Sequence, residues 1–256
     1  MEVFILASGS KGNMAYLKVS DERLFVDAGI SYLKIKQKMS DYQENIYDVK
    51  SLLLTHEHGD HTMGLKMLLK NGGIENVYLT QGTYDQLPRD IVGMFLNVFI
   101  IKSEVSFNIG DVKIMPFMLS HDAAEPVGFV IEGDEKKVVL LADTGYVDQS
   151  YHNLLSHADL YLLEANHHPA KLMQSPRPFL LKKRILSELG HLSNEDACWL
   201  INKFVNNKRS VWVVSHISED CNSILDIEEA IVKVLDDPTK IDVFYATQAG
   251  LPVIKL

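Results

Sequence analysis

The stretch Leu52-Leu53-Leu54-Thr55-His56-Glu57-His58-Gly59-Asp60-His61 constrains this chain more than any other feature. Its apolar triplet reads as a buried strand, and three histidines and one aspartate follow within six residues. In an extended segment His56 and His58 project to the same side, while Asp60 and His61 can turn toward a second ion. Imidazoles favour zinc and related transition ions, and a carboxylate beside them suits a site that activates water. The plain alternative is a polar loop whose histidines cap a helix or face solvent. Several histidines at this spacing behind a hydrophobic strand weigh against it.

Short apolar, β-branched runs recur along the chain between polar or glycine-rich turns. They predict strands at Val3–Leu6, Ala15–Val19, Leu24–Val26, Leu52–Leu54, Val77–Leu79 and Val98–Ile101. Further strands are predicted at Val112–Phe117, Val127–Ile131, Val138–Leu141, Leu160–Leu163, Val211–Val214 and Val243–Tyr245. Helical spacing is clearest over Asn194–Phe204, where Ser193 and Asp196 form a capping box and Ala197, Leu200, Ile201 and Phe204 make an apolar face. A second helix follows the histidine cluster through Leu65, Leu68 and Leu69, and a third runs from Ile224 to Leu235. No linker or solenoid repeat interrupts the pattern, so residues 1–256 read as one α+β domain. Two packed sheets with helices outside fit this order, as do other α+β layer arrangements.

Three more candidates stand just past predicted strand ends, where a set of parallel strands converges on one cleft: His121, Asp143 and His216. Alone, each also reads as a capping or solvent residue. Ser8-Gly9-Ser10-Lys11-Gly12-Asn13 lies between two strands and reads equally as a phosphate cradle or a hairpin turn. His152, His157 and His168 read as surface or packing residues, and His167 as a contact behind the site or at the cleft edge.

Composition bounds the function class. With 46% hydrophobic residues and 23% charged, the chain can bury a sizeable core, and no apolar run reaches membrane-spanning length. Met1–Ala7 lacks a basic leader, and Cys198 and Cys221 form no C-x-x-C pair, so a reducing, cytoplasmic setting is expected. A net charge of −9 argues against a broad basic surface. It leaves a nuclease open, because metal ions in a cleft add positive charge where a phosphate binds.

Thr-His-x-His-x-Asp-His after an apolar strand resembles the signature of the metallo-β-lactamase superfamily, and the later candidates follow in that family's order. The resemblance implies a four-layer αββα sandwich. It also implies two divalent ions, Zn or Mn, one held by His56, His58 and His121, the other by Asp60, His61 and His216, with Asp143 bridging them. Ser120-His121-Asp122-Ala123-Ala124-Glu125-Pro126-Val127-Gly128, Asp143-Thr144-Gly145-Tyr146-Val147 and Gly190-His191-Leu192-Ser193-Asn194 are similar to the WalJ/YycJ group, nucleases acting on DNA. Glu164-Ala165-Asn166-His167 resembles a segment of that group, with Ala165 departing from it. Glu164 and His191 are also similar to a Glu/His pair of tRNase Z. That likeness implies that His191 donates a proton to the leaving oxygen while Glu164 orients its imidazole. The plain alternative for His191 is a hydrogen bond that pins its loop.

What this implies is a binuclear phosphodiesterase, a 5′-to-3′ exonuclease with DNA favoured over RNA, in which a metal-bridging hydroxide attacks phosphorus. Asp60 joins Glu164 and His191 as a catalytic candidate, steering the water. No insertion matches the β-CASP cap. An ester, thioester or lactone hydrolase of the same fold and a tRNase Z-like ribonuclease are the alternatives. A flavodiiron-like redox role is disfavoured by His58, which stands where that group carries an acidic residue. A dead binding module is disfavoured by the complete first motif. Open sheet edges leave room for a homodimer.

Overall fold

The computed structural model describes residues 1–256. Its first sheet contains β1 (Glu2–Ala7), β2 (Met14–Val19), β3 (Glu22–Val26), β4 (Ser51–Leu53), β5 (Asn76–Leu79) and β6 (Asn97–Ile100). The second contains β7 (Phe107–Ile109), β8 (Val112–Met118), β9 (Val127–Gly133), β10 (Lys136–Leu141), β11 (Leu160–Glu164), β12 (Ser210–Ser215) and β13 (Ile241–Tyr245). A final strand, β14 (Ile254–Lys255), returns to the first sheet beside β1. The first sheet runs in the order β14-β1-β2-β3-β4-β5-β6 and the second in simple descending order from β13 to β7.

Strand alternation builds the layers. Val3 and Ile5 face the core between the sheets, whereas Phe4 and Leu6 face helices outside the first sheet. In β12, Val213 joins the inter-sheet core while Trp212 and Val214 pack on the helix Asn194–Val205 side. Helices therefore cover both outer faces, giving the αββα sandwich. None of them is long and apolar enough to cross a membrane.

Every predicted strand is present, with ends shifted by a residue or so. The sequence reading passed over β7 and β14, which have three and two residues and are too short to display alternation. The helix Asn194–Val205 starts where expected, and Ser193 Oγ accepts the Asp196 amide at 3.2 Å. The Asp196 carboxylate takes the Ser193 hydroxyl at 2.6 Å, so the reciprocal half of the capping box is replaced by a side-chain bond.

Direction matters more than strand count. β3 to β6 run parallel, and β10 to β13 run parallel. β8 is antiparallel to β9, which is antiparallel to β10, so β8 and β10 point the same way. The carboxyl ends of β8, β10, β11 and β12 thus share one rim.

Trp212 is fully buried and its indole donates to the Leu163 carbonyl at 3.1 Å, locking β12 to β11 beneath that rim. Trp212→Ala removes the largest buried side chain and is expected to destabilise the fold by about 3–5 kcal/mol. Urea unfolding followed by circular dichroism checks this; a change within experimental error would mean the helix side of β12 collapses to fill the gap.

Candidate metal centre

Six strand ends deliver the polar groups. The first sheet supplies Asp27 after β3 and His56 to His61 after β4. The second supplies His121 after β8, Asp143 after β10, Glu164 at the end of β11 and His216 after β12. Asp27, Asp143 and His216 adopt left-handed backbone, with φ of 61°, 58° and 49°. Such residues cost about 1–3 kcal/mol each and survive only where the surroundings over-determine them. Here the sharp turn aims the side chain back across the rim.

The imidazoles of His56, His58 and His121 form one cluster, with ring centres 4.7 Å apart for His56 and His58 and 5.1 Å for His58 and His121. Beside it, Asp143 Oδ2 is 2.6 Å from His61 Nε2 and Oδ1 is 2.9 Å from His216 Nδ1. Asp143 Oδ2 also lies 3.8 Å from His56 Nε2, so this carboxylate stands between the two groups. Asp60 Oδ2 is 3.7 Å from both His61 Nε2 and His216 Nε2. All seven residues expected as ligands therefore meet in one place. His56, His58 and His121 form one group able to hold an ion; His56, His61 and Asp143 form another, and Asp143, Glu164, His191 and His216 a third.

Glu164 and His191 join the same cluster. Glu164 is fully buried, takes the Thr144 amide at 2.6 Å through Oε1, and lies 3.0 Å from His191 Nδ1 through Oε2. The other histidines stand elsewhere. His152 packs edge-on against Trp199 and Phe204, and His168 caps the helix Pro169–Gln174. The His167 ring is buried without a hydrogen-bond partner, although its carbonyl accepts the Asn194 amide, and burial pushes its pKa down to about 4.

The electrostatics ask for positive charge. Burial disfavours ionised Asp143 and Glu164, yet His216 and His61 hold Asp143 ionised, and His191 does the same for Glu164. Burial likewise opposes protonated His61 and His216, but neighbouring carboxylates together outweigh it, Asp27 and Asp143 at His61 and Asp143, Asp60 and Glu164 at His216. His56 and His121 stay neutral because burial dominates, which leaves imidazole lone pairs available as ligands. His56 Nε2, His216 Nε2 and Asp143 Oδ1 are buried with no aligned hydrogen-bond partner, although Asp143 Oδ1 lies 2.9 Å from His216 Nδ1 and His216 Nε2 lies 3.7 Å from Asp60 Oδ2. Orphaned donor atoms of this kind, on His and Asp, are what a divalent ion requires.

The surrounding side chains fix the cluster. Asp27 Oδ2 is 2.7 Å from His61 Nδ1, and Oδ1 accepts the Thr55 amide at 2.9 Å. The Asn13 amide group reaches Asp60 Oδ2 at 3.2 Å, and Ser8 Oγ accepts the His216 amide at 2.8 Å. Gly29 permits the approach: a Cβ there would meet the Asp60 carbonyl oxygen at 1.7 Å. The Ser8–Asn13 loop is thus a hairpin turn that braces the centre. Its Gly9, Gly12 and Asn13 amides are spent on Asn13 Oδ1, the Gly9 carbonyl and the Asp60 carbonyl, so they are not free to cradle a phosphate.

Comparison with known proteins agrees with this geometry. Residues 22–217 match the Beta-lactamase superfamily domain. The chain belongs to the metallo-β-lactamase superfamily. It is 36% identical over 223 residues to Exodeoxyribonuclease WalJ of Streptococcus pneumoniae, covering 85% of this chain and 82% of that protein. It is 32% identical over 236 residues to Exodeoxyribonuclease YycJ of Bacillus anthracis, covering 91% and 88%. These relatives place it in the WalJ/YycJ group. The crystal structure of the metallo-β-lactamase fold protein YhfI from Bacillus subtilis superposes with a TM-score of 0.73 at 16% identity, over 99% of this chain and 98% of that one, a likeness of fold. The chain is a metal-dependent hydrolase of this superfamily, with His and Asp clusters suited to divalent ions.

Asp27 escaped the sequence reading, although Phe25-Val26-Asp27-Ala28-Gly29 carries the same signal as the first motif, a carboxylate directly after an apolar strand. Asn13, Ser8 and Asn166, whose amide group donates to the His216 carbonyl at 2.8 Å, carry no local signal. Asp27→Ala frees the His61 ring and Thr55 together. Groups that orient ligands in this way are typically worth roughly 10–100-fold in metal affinity. Chelator competition with Zn²⁺ is expected to show a loss of that size in the folded variant; unchanged affinity would mean that packing alone fixes His61.

Proposed function

We propose that this protein is a cytoplasmic exodeoxyribonuclease that degrades DNA from the 5′ end, using two divalent ions, Zn or Mn. In this reading His56, His58 and His121 hold one ion, Asp60, His61 and His216 hold the other, and Asp143 touches both. The observation that carries it is the convergence of these donors with the His191–Glu164 pair, in a chain whose relatives over most of its length are named exodeoxyribonucleases.

When bound, the metal ions supply a water acidic enough to act as nucleophile at neutral pH and positive charge for the phosphorane-like transition state. The remaining work falls to the chain. Glu164, anchored by the Thr144 amide, accepts from His191 Nδ1 and so turns Nε2 toward the cleft that His191 lines. The doubly protonated ring, with Nδ1–H held by Glu164, gives its Nε2 proton to the departing oxygen and is left neutral. Asp60, tied to Asn13, orients the attacking water.

Incubation with 5′-labelled and 3′-labelled DNA and RNA, single- and double-stranded, with Zn²⁺ or Mn²⁺, tests this reading. Stepwise release from DNA 5′ ends is expected, abolished by a chelator and in the His58→Ala/Asp60→Ala variant. Cleavage confined to RNA would make the enzyme a ribonuclease. Hydrolysis of esters, thioesters or lactones with every nucleic acid left intact would sink the nuclease reading and leave the superfamily assignment.

His191→Ala is expected to retain bound metal while losing roughly 10²–10⁴-fold in kcat. The loss should shrink when the leaving group is a nitrophenolate, which needs no proton. Equal losses on both substrates would make His191 a loop-pinning residue instead of a proton donor.

A further inference from the structure

The segment that precedes His191 stands apart in charge. The chain as a whole carries −9, yet residues 165–187 contain Lys171, Arg177, Lys182, Lys183 and Arg184 and no carboxylate. Two of these, Arg177 and Arg184, line the same cleft as His121, His191 and His216. Pro176 and Pro178 flank Arg177, and their rings fix the backbone on either side of it. Arg184 projects from the helix Phe179–Ile185.

This wall is coupled to the proposed proton donor through the backbone. The His191 amide donates to the Ile185 carbonyl at 3.0 Å, the Gly190 amide to the Ser187 carbonyl at 2.8 Å, and the Gly190 carbonyl lies 3.3 Å from His121 Nδ1. Gly190 makes the fit possible, since a Cβ there would meet the Arg184 and Ile185 carbonyl oxygens at 2.3 and 2.2 Å. Both guanidinium groups are engaged by acidic residues, Arg177 with Asp220 at 3.0 Å and Arg184 with Asp122 at 2.9 Å. Each pair has one member more than half exposed, Asp220 in one and Arg184 in the other, so both reach solvent and weaken with salt, the bidentate Arg184–Asp122 pair less than the other. A phosphodiester offers the guanidinium fork the same pair of oxygens as a carboxylate does.

We propose that Arg177 and Arg184 grip the backbone phosphates of a single nucleic-acid strand beside the scissile bond, exchanging Asp220 and Asp122 for them. The proposal rests on the nuclease reading and adds the path of the strand, along the 177–184 wall on the His191 side. One strand fits better than a duplex. Two arginines on one narrow wall can follow one backbone, whereas the broad basic surface a duplex attracts is missing from a chain of net charge −9. Asp220 and Asp122 mask the arginines in the free protein and so favour ligands able to displace them.

The test is binding of labelled, phosphorothioate-linked single-stranded DNA to the metal-loaded, full-length protein across a salt series. Arg177→Ala/Arg184→Ala is expected to weaken binding on the order of ten-fold and to flatten the log–log salt slope by about 1.4, two phosphate contacts at ~0.7 each. Lys113→Ala/Arg209→Ala removes the same charge from the opposite ends of β8 and β12 and should bind like the parent. Arg177→Lys/Arg184→Lys keeps the charge in case the alanine variant misfolds. It should hold the slope and lose part of the affinity, because an ammonium lacks the fork. Parent-like affinity and slope in the arginine variants, an equal loss in the control, or a parent that binds no single-stranded DNA would overturn the proposal. Cleavage is scored separately: a parent that binds through this wall but cuts no nucleic acid would defeat the nuclease reading alone.

Discussion

Everything at the rim depends on one carboxylate. Asp143 is 2% exposed and lies between His61, from the first sheet, and His216, from the second. It is therefore one of the polar contacts that join the two halves of the sandwich at the rim, beside the hydrogen bond from the His216 amide to Ser8. A charge buried this deeply is unfavourable unless opposite charge meets it. Histidine protons or metal ions can supply that charge, and the histidine-rich lining makes the site accept either. The unpartnered Nε2 atoms of His56 and His216 are the places where protons alone fall short.

Holding such a site is costly, and the architecture spreads the cost. Left-handed backbone at Asp27, Asp143 and His216 and several unpartnered buried atoms are tolerated because three apolar cores, one between the sheets and one under each helical layer, fix the strands below. Strand ends can then carry strained, charged residues without loosening the elements themselves. Asp27 and Asn13 extend this support upward, from β3 and from the turn after β1, so that each of His61 and Asp60 is restrained by a residue from another strand end.

The legibility of this protein follows the range of each interaction. The fold was readable because its strands are mostly long enough to alternate, as in Val112–Met118, and failed to be read where they are not, as in β7 and β14. The ligand cluster was readable because each member directly follows an apolar run, so a local pattern marks it. Glu164 and His191 were found only through resemblance, since nothing local distinguishes a carboxylate ending β11 from any strand-end acid. Ser8 supports His216 across 208 residues of sequence and Asn13 supports Asp60 across 47. Such contacts exist only once the sheets have packed, and no periodicity or spacing announces them. The glycine-rich turn illustrates the difference: its composition fits an anion cradle, and only the hydrogen bonds of the folded chain reveal that its Gly9, Gly12 and Asn13 amides are already occupied.

Division of labour within the chain explains why the superfamily alone does not fix the substrate. The donor residues sit on strand ends that the sandwich itself positions, so any member of the fold can assemble them. Residues 165–191 are different: they form a detour between β11 and the helix Asn194–Val205, and they are net basic in a chain of net charge −9. That detour begins next to Glu164 and ends at His191, whose side chains meet at 3.0 Å. A loop closed by the pair proposed to protonate the leaving group cannot shift without moving one of its two members. If Arg177 and Arg184 grip the strand as proposed, substrate selection and proton delivery are linked, because the carbonyl of Ile185, next to Arg184, holds the His191 amide.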